Sequence, residues 1–322
     1  MNIARRAVHL HAARYAATTA FISSVFGAAP VLATEGGATN KALGVDTVLA
    51  GVIGAPGSVR LTNFIGYYEA GSTLDGSGNP RPGLSNFRLK FSAATSRLQY
   101  VWPDLKIFGA DVESRFGFTW YADAKANFDV QTPTGRLHRE GSSSGWAPGA
   151  LIGPVILGWH SETLHQMTGI EFYFPPIGFN VGQLVNVGSG FTSLAPHYWV
   201  TWYPRPDIEV NGSFVYLINQ KNHDTQYKSG REFSMDYAVG YTPARQWQYG
   251  VSGFAYKQLT DDTLNGVAVP GGNRGRAFGI GPFVRYQSDS NWGATLKWQH
   301  EAAIQNRAKG NRFFLQFAYR FK

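Results

Sequence analysis

The chain has 322 residues, with 29 Lys or Arg, 21 Asp or Glu, a formal charge of +8 and no cysteine. Without cysteine there is no disulfide framework and no thiolate site, and basic residues that never run longer than two give no case for a nucleic-acid partner. Aromatic residues make up 15%, glycines number 38, mean hydropathy is −0.21, and no run of about 18 apolar residues follows Ala33, so a membrane could be crossed only by the strands of a closed barrel.

The N-terminus reads as an export leader. Arg5, Arg6 and Arg14 precede the first acidic residue, Glu35, and Tyr15 to Ala29 is apolar or small. Val31-Leu32-Ala33 supplies small residues at the −3 and −1 positions of a cleavage site. Residues 1–33 are therefore expected to be a signal peptide, whose apolar stretch is short for a membrane anchor. Its removal lowers the charge to +5 (29 minus 3 basic residues against 21 acidic). In residues 34–57, Val45, Val48, Leu49, Val52 and Ile53 are too apolar for a solvated tail. This segment either plugs a lumen, or extends the first strand or packs on a partner. As a plug it would bring Asp46 to an inward Arg60, Arg88 or Arg320, because an unpaired charge in a confined lumen is costly.

Side chains alternate with the period of two that a strand requires in about twelve segments: Ser58–Glu69, Phe87–Trp102, Ile107–Tyr121, Leu151–His160, His165–Phe174, His197–Tyr203, Ile208–Asn219, Glu232–Tyr241, Trp247–Gln258, Ala277–Gln287, Asn291–Glu301 and Asn311–Phe321. The last is the cleanest, with Phe313, Leu315, Phe317, Tyr319 and Phe321 on one face. Connections alternate long and short. The long ones include Ala70 to Asn86, Ala122 to Ala150, Pro175 to Pro196, Gln220 to Arg231 and Leu259 to Arg276. The short ones lie near Pro103-Asp104, Ser161-Glu162, Pro204 to Asp207, Pro243 to Arg245 and Ser288 to Ser290. That alternation builds a transmembrane up-and-down β-barrel of about 12 antiparallel strands over residues 58–322, all-β in class. Pro154 and Pro282 fall inside strand segments and mark either bulges or misplaced boundaries, and the face change at Thr95–Arg97 implies a bulge or a strand that extends beyond the membrane.

Strand parity assigns faces. Tyr237, Trp292, Trp298, Phe317 and Tyr319 are expected against lipid. Facing the lumen are expected Arg60, Phe64 and Tyr68 from the first strand, Arg88 and Lys90 from the second, Glu232 and Asp236 from the eighth, Lys297 and Glu301 from the eleventh, and Gln316 and Arg320 from the twelfth. These residues either fill the barrel as paired charges or line a polar pathway for a ring-shaped solute. Asp224, Tyr227 and Arg231 lie in a turn-rich segment expected to shape the mouth.

Enzyme chemistry finds little support. Gly141-Ser142-Ser143-Ser144-Gly145 matches a nucleophile elbow, but the strand before it and helix after it are missing, and it reads as a loop. His160 and His165 have no zinc spacing and His300-Glu301 lacks a second histidine, so no metal site and no cofactor are expected.

Several segments resemble a known family. Asn219 to Gly230, continuing through Asp236, is the most specific; Gly44 to Gly51, Gln99 to Pro103, Leu157 to His160, Tyr256 to Asp262 and Gly275 to Pro282 also fit. The chain is similar to the outer-membrane proteins named for the MetA pathway of phenol degradation, encoded among genes of aromatic catabolism. It departs from them at Pro175 to Gly178 and at Ala150 to Gly153. The resemblance implies a Gram-negative outer-membrane barrel, surrounded by outer-membrane lipid, that admits small hydrophobic or aromatic solutes. It carries over no catalytic residue. The competing readings are a structural or ligand-binding barrel without transport, and a barrel-embedded hydrolase. The sequence does not set the oligomeric state.

Overall fold

The computed structural model describes residues 39–146, 149–175 and 178–321. The expected signal peptide, residues 34–38 and Lys322 lie outside the described residues. The strands in chain order are β1 (Val59–Thr73), β2 (Leu84–Ile107), β3 (Ala110–Thr132), β4 (Gly135–Trp146), β5 (Ala150–His160), β6 (Leu164–Phe174), β7 (Ser193–Arg205), β8 (Ile208–Asn219), β9 (Tyr227–Lys228), β10 (Glu232–Ala244), β11 (Trp247–Gln258), β12 (Thr263–Leu264), β13 (Val267–Ala268), β14 (Arg276–Gln287), β15 (Trp292–Gln305) and β16 (Ala308–Arg320).

The thirteen-stranded sheet has the order β2-β1-β16-β15-β14-β11-β10-β8-β7-β6-β5-β3-β4, and β2 also pairs with β3. That last pairing closes a ring of twelve antiparallel strands, with β4 outside it on the far end of β3. Closure leaves no edge, which is the condition for a sheet to stand in lipid. Arg60 pairs with Arg320, so the first and last strands meet at the short-turn end. The small sheet β13-β12-β9 joins two of the long connections, 220–231 and 259–275.

Alternation is inverted relative to a water-soluble core. On β15, Leu296 is 55% exposed while its neighbour Lys297 is 1% exposed. Ile65, Trp298, Phe313, Leu315, Phe317 and Tyr319 share the outer face, and Trp292 and Tyr237 stand half-buried in the same phase through ring contacts with Phe317 and Phe278. An apolar surface this continuous needs lipid over it.

The departures from the expected boundaries have local causes. β2 and β3 run 24 and 23 residues, about twice what the bilayer requires, so they rise beyond it. β4 pairs with that extension, and Gly141–Gly145 is therefore strand, not loop. The second reversal lies at Phe108 and Gly109, both with positive φ as a two-residue hairpin turn demands, and Pro103 is absorbed into β2 where the register slips. The last connection shrinks to residues 306–307. Pro154 does mark a bulge between β5 and both its neighbours, whereas Pro282 sits opposite Val251 without a slip. The irregularity near Thr95 belongs to β3, where Trp120 is the extra residue.

That placement corrects two lumen assignments. The parity of β2 is unbroken, with Gln99 and Val101 buried inside and Leu89 and Phe91 packed against Ala124, Ala126 and Val185. Arg88 and Lys90 are thus on the outward phase and exposed, with Lys90 3.6 Å from Glu69.

Leu296→Arg or Phe317→Arg is expected to cost about 2–4 kcal/mol if near the midplane, whereas Gln316→Arg, on the lumen face, should be tolerated better. The yield of heat-modifiable barrel checks this; equal yields for the two sets would refute the facing assignment.

Candidate functional site

The lumen is not empty. Residues 39–57 run inside it and are bonded to its wall from several directions. Asp236 on β10 is fully buried and is answered by three groups of this strap: Lys41 Nζ at 2.5 Å, the Gly44 N–H at 2.8 Å and the Asp46 N–H at 3.1 Å. From β15, Lys297 Nζ donates to the carbonyls of Gly44 (3.2 Å) and Val45 (2.6 Å) and to Thr47 Oγ1 (3.1 Å), and Gln299 donates to the Gly44 carbonyl. The N–H groups of Leu49, Ala50 and Gly51 donate to Glu209, Asn211 and Thr201 on β8 and β7. Ala50 and Ile53 then pack with Val101, Ile156, Met167 and Trp199.

Asp46 carries the widest span. Its N–H bonds Asp236 on β10, and its carboxylate bonds Arg97 on β2 at 3.0 Å. In the ring order these strands stand six positions apart in either direction, on opposite walls. One residue therefore bridges the lumen. Burial alone would raise the Asp46 carboxyl, but Arg97, then Lys41, hold it below the usual carboxylate range. Its sequence-expected partners were Arg60, Arg88 or Arg320; the partner is Arg97, because the strap crosses at the level of the inward residues of β2, whereas Arg320 lies at the turn end bonded to Asn291.

A cavity of about 70 Å³ remains between the strap and the short-turn end. Its wall includes Val48 and Leu49 of the strap, Arg60, Arg97, Arg115 and Arg285, the amides of Gln99 and Gln316, and Trp199. Most of these cations are already paired. Arg115 bonds Glu113 (2.6 Å) and Glu171 (3.2 Å), and Arg285 bonds Glu209 (3.0 Å). Among the described residues Arg60 bonds the Gln99 amide alone, at 3.1 Å.

Among the sequence-named residues, Asp46, Asp236 and Lys297 meet at the strap. Tyr68 and Glu301 meet beyond it, where Tyr68 donates to Glu301 at 2.9 Å and Arg312 bonds the same carboxylate. Glu232 is buried and accepts from Asn219 at 2.7 Å. The aromatic surfaces expected to face a solute are partly covered, since Arg97 lies 4.9 Å over the Phe64 ring and Arg312 4.6 Å over Tyr68. Asp224 is exposed in its loop, and Arg231 is exposed just before β10. Tyr227 ties loops together: its hydroxyl donates to Asp262, which also accepts from the Gly230 N–H at 2.8 Å and Asn273 at 3.1 Å. Burial raises the Asp262 carboxyl above its ordinary value in spite of these donors.

Sequence reasoning missed Arg97, Gln99, Glu113, Arg115, Glu171, Glu209 and Arg285. Glu113 and Arg115 are two residues apart on one strand face, a spacing that would have flagged them. His197 is buried, 3.1 Å from Glu171 and stacked on Trp199. His160 and His165 face each other at the β5–β6 turn, and no group of three metal-ligating side chains occurs among the described residues.

The chain belongs to the family described by the MetA-pathway of phenol degradation, which matches residues 69–317. An outer membrane channel from Pseudomonas putida F1 has a similar fold, with a TM-score of 0.66 at 11% identity over 86% of this chain and 100% of that one. The transport unit of the autotransporter AIDA-I from Escherichia coli scores 0.49 at 10% identity over 82% and 90%, and the NanC porin 0.43 at 9% over 80% and 98%. No curated protein sequence matches the chain. The fold is thus that of an outer-membrane barrel.

Gly44 has φ +77°, and a Cβ there would collide with the Gln299 amide. Gly44→Ala is expected to displace the strap and raise single-channel ion conductance while heat-modifiable barrel persists; unchanged conductance would show that the strap yields elsewhere. The lowered Asp46 pKa means its contact with Arg97 contributes fully above the ordinary carboxylate value of about 3.9 and fades only as pH falls below that range. Conductance should therefore stay flat from about pH 7 to pH 4, and a bilayer titration with a step near pH 4 would contradict the assignment.

Proposed function

We propose that this barrel is a passive, non-enzymatic channel of the Gram-negative outer membrane, exported by its signal peptide, that admits small hydrophobic or aromatic compounds such as phenols for degradation. Residues 39–57 act as its constriction. The observation that carries this reading is the crossing of the lumen by Asp46, which narrows it to a cavity of about 70 Å³ walled by Val48, Leu49 and Trp199, by amides and by arginines of which Arg97, Arg115 and Arg285 are already paired. A passage of that kind retards hydrated ions more than a small, weakly hydrated ring. Family membership supports the solute class. Lumen candidates for the pathway are Arg60, Phe64, Tyr68, Asp236, Lys297, Glu301 and Gln316.

A hydrolase would need a nucleophile at the buried histidine. His197 Nε2 faces Glu171 and the Tyr173 hydroxyl, and no serine bonds it among the described residues.

Two measurements test the proposal. A deletion strain should take up phenol at limiting supply more slowly than its parent, with the full chain restoring the rate. Removing residues 44–54 should raise ion conductance in planar bilayers. Equal uptake with and without the gene would reject the transport role in favour of a non-transporting barrel, and equal conductance with a folded barrel would reject the constriction.

A further inference from the structure

The outward-facing cations differ between the two ends of the barrel. At the short-turn end they have carboxylate partners close by: Lys106 with Asp111 (2.5 Å), Arg205 with Asp207 (2.5 Å) and Arg245 with Asp289 (3.2 Å). At the long-loop end Arg274 has Asp261 at 2.6 Å, but other cations stand against each other. Lys257 on β11 is directly opposite Arg276 on β14, both are exposed, and neither has a carboxylate partner among the described residues. Arg231 opens the outward phase of the next strand, β10, beside Leu259, and is likewise exposed with no such partner. A second like-charge pair, Lys90 opposite Lys125, lies on β2 and β3 across the ring, eased only by Glu69 at 3.6 Å and Asp123 at 3.7 Å.

Like charges directly opposite in a sheet are destabilising. The nearest loop carboxylates do not relieve Lys257 and Arg276, because Asp261 is taken by Arg274 at 2.6 Å and Asp262 is buried under Tyr227 and Gly230. The cations also sit on the apolar face itself. Phe233 is the cross-strand neighbour of Lys257, and Phe278 and Ile280 continue the phase of Arg276 toward the bilayer. The missing anion must therefore come with a hydrophobic body.

We propose that Arg231, Lys257 and Arg276 bind the phosphates of lipid A, the acylated, phosphorylated disaccharide of the outer leaflet, with its chains lying on Phe233, Phe278 and Ile280. A phosphate carries about −1.5 to −2 charges and several acceptor oxygens, so one group bridges Lys257 and Arg276 and turns their repulsion into charge-assisted hydrogen bonds. The close pairing of cations at the opposite end fits a leaflet that lacks this lipid.

The test uses the full chain purified in detergent, with the thermal midpoint of the heat-modifiable barrel as readout. Diphosphoryl lipid A should raise the midpoint. Inorganic phosphate and phosphatidylglycerol, which offer the phosphate without the disaccharide, should give little or no rise. The triple variant R231Q/K257Q/R276Q should bind lipid A roughly tenfold more weakly or worse, and K221Q, on an exposed loop, should bind as the parent does. Lys257→Glu makes an opposite-charge pair with Arg276 and should raise the midpoint without lipid while losing the lipid A response. Parental affinity in the triple variant, an equal response to phosphatidylglycerol, or a retained lipid A response in Lys257→Glu would each overturn the proposal.

Discussion

A carboxylate removed from water demands charge and hydrogen bonds in return, and Asp236 makes that demand in the middle of the lumen. β10 supplies no cation to meet it. The answer comes from Lys41 and from two backbone N–H groups of the strap. Once those are in place, the path of residues 41–46 is set: Gly44 must turn with positive φ against Gln299, its carbonyl must fall on Lys297, and Asp46 must emerge facing Arg97. The strap is less an object placed in the barrel than the missing half of its hydrogen-bonding inventory.

The remaining inward charges follow the same rule. Glu113, Arg115 and Glu171 form one cluster under Trp199, and Glu209, Arg285 and Asn211 another. Buried pairs of this kind contribute little net stability over an apolar filling, yet removing one partner costs about 3–5 kcal/mol. The wall is therefore stiff in composition. Arg60 is met differently: it points inward to the cavity and has the Gln99 amide, with no carboxylate bonded to it among the described residues.

How much of this was legible depended on where each residue stands relative to the bilayer. Within it, one face meets lipid and the other a polar lumen, so β10, β15 and β16 gave their faces away by parity alone. Above it the rule inverts. Phe87, Leu89 and Phe91 look like a lipid face, but in the extension of β2 they lie against β3 or the loop residue Val185, and Arg88 and Lys90 take the water side. β4 was invisible for the same reason, because a strand with little to bury has no hydrophobic period; Ser142, Ser143 and Ser144 pair as strand through backbone bonds that any side chain allows. The strap's apolar character and Asp46 could be read, but not the choice of Arg97 over Arg60. That choice is made by the depth at which Asp236 anchors the chain, and no local pattern encodes depth.

The same geometry ranks the contacts between strap and wall by what parting them would cost. At Asp236 the Lys41 contact is 1% and 0% exposed on its two sides, and loss of Lys41 would strand a carboxylate with no other cation bonded to it among the described residues. At Arg97 the contact with Asp46 is 16% and 11% exposed and borders the cavity, where water can reach both groups as they part. Separation there costs far less than at Asp236, because solvent takes up the charges instead of leaving them bare. Leu49, held with positive φ, lies on the same side of the strap, and its N–H bond to Glu209 competes with Arg285 for that carboxylate. The Asp46–Arg97 contact is thus the more readily parted hold of the strap, and residues 41–44, bound to Asp236 and Lys297, are its fixed end.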